Sequence, residues 1–114
     1  MIVLGKKKLE KLKAKNLGNT KLGKAIDKLL LVFKENDWKS ESDLKEARPD
    51  ADRVHNDGFY FLDLNIHRTL VLFEWEEETE ITIVWVGSHQ EYEETFKNNK
   101  KTIQTWLKQR EYIE

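Results

Sequence analysis

The chain has no cysteine, a single proline and five glycines in 114 residues. Without cysteine, neither a disulfide framework nor a thiolate metal site can form. The histidines are few, His55, His67 and His89, and their spacing matches no zinc-ligand pattern, so no metal or cofactor is expected. No apolar run approaches the roughly 18 residues of a transmembrane span. Ile2-Val3-Leu4, followed by a lysine run, is too short for the apolar region of a signal peptide. Repeats, low-complexity segments and linkers are missing as well. These absences leave one domain over residues 1–114 with a single modest core, expected to reside in the cytoplasm and to avoid membranes.

Charge is plentiful but unevenly placed. The net value of −1 hides ten lysines against Glu10 and Asp27 in residues 1–34. Residues 35–97 reverse this, with seventeen acids against six lysines or arginines. A lysine-rich segment steers toward polyanions; it also serves as an ordinary solvated helix face. The acidic middle excludes a surface that is basic all over and leaves room for a basic protein partner.

The apolar pattern sorts the chain into elements. Ile2-Val3-Leu4 reads as a short edge strand. Lys6 to Lys15 reads as a helix with Leu9 and Leu12 as a thin stripe, ended by turn chemistry at Asn16-Leu17-Gly18-Asn19. Asn19 or Thr20 caps a second helix, where Leu22, Ile26, Leu29, Leu30 and Phe33 form a core stripe. Ser40 with Asp43 opens a short helix to about Ala47, which Arg48-Pro49 ends. Asp50 to Gly58 reads as polar loop with a turn at Asn56-Asp57-Gly58. Three strands follow: Phe59 to Leu64, Arg68 to Trp75 and Glu80 to Val86. Pairing Trp75 with Glu80 sets Val71 against Val84, Thr69 against Val86 and Arg68 against Gly87. It puts Leu70, Leu72, Ile83 and Trp85 on one face, and Val71, Phe73, Val84 and Val86 on the other. Both faces are apolar, so each needs a cover: the helices for one, and a partner or the C-terminal segment for the other. A last helix starts at Ser88, breaks near Asn98-Asn99 and resumes to about Tyr112.

The stretch Val84-Trp85-Val86-Gly87-Ser88-His89-Gln90-Glu91-Tyr92-Glu93 concentrates the chemistry. Ser88 and Glu91 make a capping-box pattern at a strand-to-helix turn. His89 then takes the first helical position and Tyr92 the fourth, on one face. A helix N-terminus suits a phosphate, and a histidine and tyrosine beside it suit proton transfer in phosphodiester chemistry.

This stretch, together with Asp37-Trp38, the loop Pro49-Asp50-Ala51-Asp52 and Arg68, resembles the HigB family of toxins in type II toxin–antitoxin systems, within the RelE-like superfamily. The resemblance covers about residues 19 to 96. It implies an α+β fold: an N-terminal helical hairpin on a small, mainly antiparallel sheet, with a C-terminal helix. Residues 97–114 stand outside it as a helical extension. It implies an endoribonuclease that cleaves mRNA, on the ribosome, silenced by a HigA-like helix-turn-helix antitoxin. By the same resemblance Arg68 stabilises phosphate, His89 is base or acid, and Tyr92 is a phosphate ligand or base stacker. Lys45, Arg53 and Ser88 bind substrate, Lys45 as an auxiliary cation. Ser88 stands where the family has threonine, Glu93 where it has aspartate, and His67 where it has tyrosine. The bland reading makes Arg68 a strand-end ion-pair residue, His89 a cap, Tyr92 core and Lys45 solvent-facing. A different function on the same fold is a non-catalytic inhibitor or antitoxin-assembly module, as in the gyrase-directed branch.

Overall fold

Leu22, Ile26, Leu29 and Phe33 are each at most 1 % exposed, so the predicted stripe is the face that docks on the sheet. Burying side chains of this size contributes about 1.5–3 kcal/mol each before chain entropy is counted. The computed structural model describes Met1 to Glu114. The elements run β1 (Ile2–Leu4), α1 (Lys7–Lys15), α2 (Thr20–Glu35), α3 (Glu41–Ala47), β2 (Asp52–His55), β3 (Phe59–Leu64), β4 (His67–Glu74), β5 (Glu80–Ser88), α4 (His89–Phe96) and α5 (Lys100–Gln109). Local chemistry sets the boundaries. The Asn19 side chain caps α2 through Leu22 N at 3.0 Å, and Ser40 caps α3 through Asp43 N. Asn99 caps α5 by accepting from Lys101 and Thr102.

The five strands form one sheet in the order β1-β5-β4-β3-β2. β1 runs parallel to β5, and the other pairs are antiparallel. This is the expected α+β fold, with helices on both faces. On one face Tyr60, Leu62, Val71, Phe73, Ile81 and Ile83 meet the stripe of α2, with Leu9, Trp38 and Leu44. Trp38 packs edge-on against Phe33 at 5.9 Å, and its carbonyl accepts from the buried Thr79 hydroxyl at 2.6 Å. On the other face Phe59, Phe61, Leu70 and Val84 meet Tyr92, Phe96, Ile103 and Leu107.

Two expectations need correction. The stretch read as polar loop contains a strand, β2, paired with β3 through Asp52–Phe61 and Arg53–Tyr60. Only Val54 in it is buried, so an edge strand of four residues left no alternation to read. The hairpin register holds at Arg68–Gly87, Thr69–Val86 and Leu70–Trp85, then shifts, so that Val71 pairs with Ile83 and Phe73 with Ile81. Val84 is the extra residue of a bulge, which puts Ile83 with the α2 core and Val84 with the α4–α5 core, the reverse of the expected faces. Of the two covers expected for the second apolar face, the C-terminal segment is the one present, as α4 and α5.

Candidate active site

The turn from β5 into α4 is built as its residues dictate. The Ser88 side chain accepts from Glu91 N at 3.0 Å, and Glu91 Oε1 accepts from Ser88 N at 2.8 Å, a complete capping box. The N–H of His89, at the first helical position, donates to the Ile66 carbonyl at 3.0 Å. Of the four donors a helix start leaves over, three are therefore already satisfied. The backbone here is an anchor more than an open phosphate cradle. The His89 side chain is exposed.

Arg68 lies opposite Gly87 in the β4–β5 ladder and opposite Asp63 in the β3–β4 ladder. Its Nε donates to Asp63 Oδ1 at 3.0 Å. Its guanidinium carbon sits 4.7 Å from the centre of the Tyr92 ring and 5.9 Å from that of Phe61. The cation thus rests on two aromatic faces, an arrangement worth about 1 kcal/mol where partly desolvated. Asp63 is itself held: its N–H donates to Asp50 Oδ2 at 2.9 Å, and its carbonyl accepts from Arg48 Nη2 at 2.7 Å. Burial pushes the Asp50 carboxyl up, but hydrogen bonds from Arg48 and the Asp63 N–H, with the Arg48 charge, hold it below its ordinary 3.8. Gly87 admits the neighbouring ring: a Cβ there would lie 2.6 Å from the Trp85 indole.

Tyr92 is buried, 3 % exposed, with its ring edge-on to Phe61 at 4.9 Å. Its hydroxyl donates to Asn98 Oδ1 at 3.0 Å. Burial raises the phenol above its ordinary value of 10.0; Arg68 opposes this, and Glu93 and Asp52 add to it. The structure therefore brings Arg68, Tyr92 and the start of α4 together. Lys45 and Arg53 lie elsewhere. The Lys45 ammonium donates to the Ala51 carbonyl, and Arg53 Nε is 3.7 Å from Glu41 Oε1, beside the Tyr60 hydroxyl that donates to the same carboxylate at 2.7 Å. Ser88 spends its hydroxyl on the cap.

Residues 23–95 match the HigB toxin family, described as the RelE-like toxic component of a toxin–antitoxin system. The chain belongs to that family. No curated protein matches it. The match spans α2 through α4, so it takes in Arg68, the capping box and Tyr92 of this HigB-family toxin, and stops short of α5. Two partners in the site, Asp63 and Asn98, lie outside the sequence motifs that mark it. Asp63 was visible as the one acid in the apolar run Phe59–Leu64. Asn98 sits six residues beyond Tyr92 with φ 47°, a left-handed position that asparagine tolerates. No three His, Asp or Glu side chains converge as a metal site would require.

Proposed function

We propose that this toxin is a metal-independent endoribonuclease that cleaves mRNA on the ribosome and is neutralised by a HigA-like helix-turn-helix antitoxin. The observation that carries the reading is Arg68: Asp63 takes only Nε of the guanidinium, and the Tyr92 ring lies 4.7 Å from its central carbon. A guanidinium fork matches two phosphate oxygens. In the reaction the 2′-hydroxyl attacks the adjacent phosphorus while its proton goes to a base. The P–O5′ bond breaks, and an acid protonates the departing 5′-oxygen. The products are a 2′,3′-cyclic phosphate and a 5′-hydroxyl. Arg68 stabilises the charge that gathers on the non-bridging oxygens. His89, exposed at the start of α4 and two residues past Gly87, the ladder partner of Arg68, serves as one of the two proton carriers. Tyr92, with a hydrogen-bonded phenol raised by burial, acts as the platform under Arg68 and not as a base.

Two contacts favour a second reading, a non-catalytic inhibitor: Arg68 is already paired with Asp63, and the Tyr92 hydroxyl already has a partner. The test has two arms: purified toxin on ribosome-free RNA in excess EDTA, and purified toxin on ribosome-bound mRNA in magnesium buffer, because EDTA takes ribosomes apart. The nuclease reading expects cleavage to products with 5′-hydroxyl and cyclic-phosphate ends. Cleavage of free RNA restored only by a divalent ion would overturn the mechanism, and intact ribosome-bound mRNA with translation still blocked would favour the inhibitor.

A further inference from the structure

His67 and Arg68 are neighbours on β4 that point to opposite faces of the sheet. Arg68 meets Tyr92; His67 lines a cleft of about 610 Å³ between α1 and the end of β5. Lys8, Lys11 and Lys15 form the α1 wall of that cleft, and Val84 to Ser88 form the β5 wall. The three lysines stand at i, i+3 and i+7, one helical face. None of them makes an ion pair, whereas Lys13 on the same helix is taken by Asp27 at 2.8 Å. His67 is 6 % exposed, and its Nδ1 is buried with no hydrogen-bond partner. Buried polar atoms are ordinarily paired. The one carboxylate at the rim, Glu91, is engaged in the capping box.

We propose that this cleft is a second RNA-phosphate subsite, in which Lys8, Lys11, Lys15 and His67 hold the strand that continues toward Arg68. The inference rests on the nuclease reading for its choice of RNA. The occupant must be anionic and rich in acceptors, because the lining offers three ammonium groups and an imidazole. Position favours RNA over an acidic protein segment. His67 pairs with Ser88, and Arg68 with Gly87, in the last two rungs of the β4–β5 ladder. A strand leaving the cleft over Ser88 and His89 therefore arrives at Arg68. The cleft also supplies charge that the Arg68 face is short of, where Asp63 offsets the guanidinium and Asp52 and Glu93 stand close enough to raise Tyr92.

The test uses a labelled single-stranded RNA carrying 2′-O-methyl groups, which cannot be cut by 2′-hydroxyl attack. Its binding is followed by fluorescence anisotropy across a salt series. The triple variant Lys8→Gln, Lys11→Gln, Lys15→Gln should bind at least about 10-fold more weakly, with a log–log salt slope shallower by about 2. These side chains line an open cleft, so circular dichroism should be unchanged. The His67 imidazole resonances should move when inorganic phosphate is titrated in, and move less in the triple variant. Equal affinity and slope for the two proteins would overturn the proposal, as would wild type that binds no RNA. So would a triple variant that loses only competition by polyglutamate, since the cleft would then be a protein-docking site. If the wild type binds through the lysines but leaves unmodified RNA intact, the subsite stands and the nuclease reading falls. If it cuts RNA and the triple variant binds and cuts equally well, the subsite alone falls.

Discussion

Arg68 carries the proposed chemistry because two different neighbours fix it: the Asp63 carboxylate at Nε and the Tyr92 ring beneath the plane. Arg68→Ala should lower cleavage by on the order of 100-fold or more, the usual cost of a lost preorganised donor. Arg68→Lys should recover little, since an ammonium neither forks nor stacks in the same way. His89→Ala should cost roughly 100- to 10,000-fold if the imidazole moves a proton. Tyr92→Phe separates platform from proton carrier. It keeps the ring and loses the bond to Asn98, so thermal stability should fall by about 1 kcal/mol while cleavage holds within a few-fold. A collapse of cleavage in folded Tyr92→Phe would return the hydroxyl to the reaction. His67 supports a pH prediction. Burial lowers its imidazole below the ordinary 6.5; Glu91 opposes this and His89 adds to it. The folded state then holds fewer protons than the unfolded chain just below pH 6.5, so stability should drop as pH falls from 6.5 toward the depressed value. Melting midpoints at pH 7.5 and 5.5 test this: His67→Gln should lose less stability on acidification than wild type, and equal losses would contradict it. Among these residues the capping box was readable, because it follows from spacing along one segment; the Arg68–Gly87 pairing came out because the bulge at Val84 offsets the Glu74–Glu80 pairing near the turn, one residue away from the expected Trp75–Glu80. Asp63 as a partner was not readable, because it depends on the register of a different hairpin.

At the scale of elements, α4 and α5 do two jobs. They hold the Tyr92 platform, and they close a sheet face that the sequence shows only as apolar. Leu107 is fully buried at the far end of this layer, so Leu107→Ala should destabilise the fold by about 2–5 kcal/mol, measured by denaturant unfolding. A cost below 1 kcal/mol would mean that α5 is not integral to the core. Ser88→Ala should cost roughly 1 kcal/mol by removing the N-cap. The stripe of α2 and the three long strands were legible because their periods are unbroken over several turns or residues. The bulge at Val84 was not: one unpaired residue leaves composition unchanged yet reverses the faces of Ile83 and Val84. The edge strand β2 was hidden for the opposite reason, having one buried residue in four.

Across the whole molecule, the lysine-rich N-terminal segment and the acidic middle of the chain become structural neighbours. α1 lies along β5, and its unpaired lysines border the end of the sheet where Arg68, Ser88 and His89 sit. Neither sheet face is bare, since helices cover both. If the proposed mRNA cleavage at Arg68 is how this HigB-family toxin arrests cells, it leaves a trace in the transcripts. The most direct measurement maps transcript 5′ ends after inducing wild type and Arg68→Ala at matched levels of folded protein. New 5′-hydroxyl ends within coding regions are expected for wild type and almost none for Arg68→Ala. Growth arrest by wild type with no new transcript ends, or equal cutting by the two proteins, would contradict it.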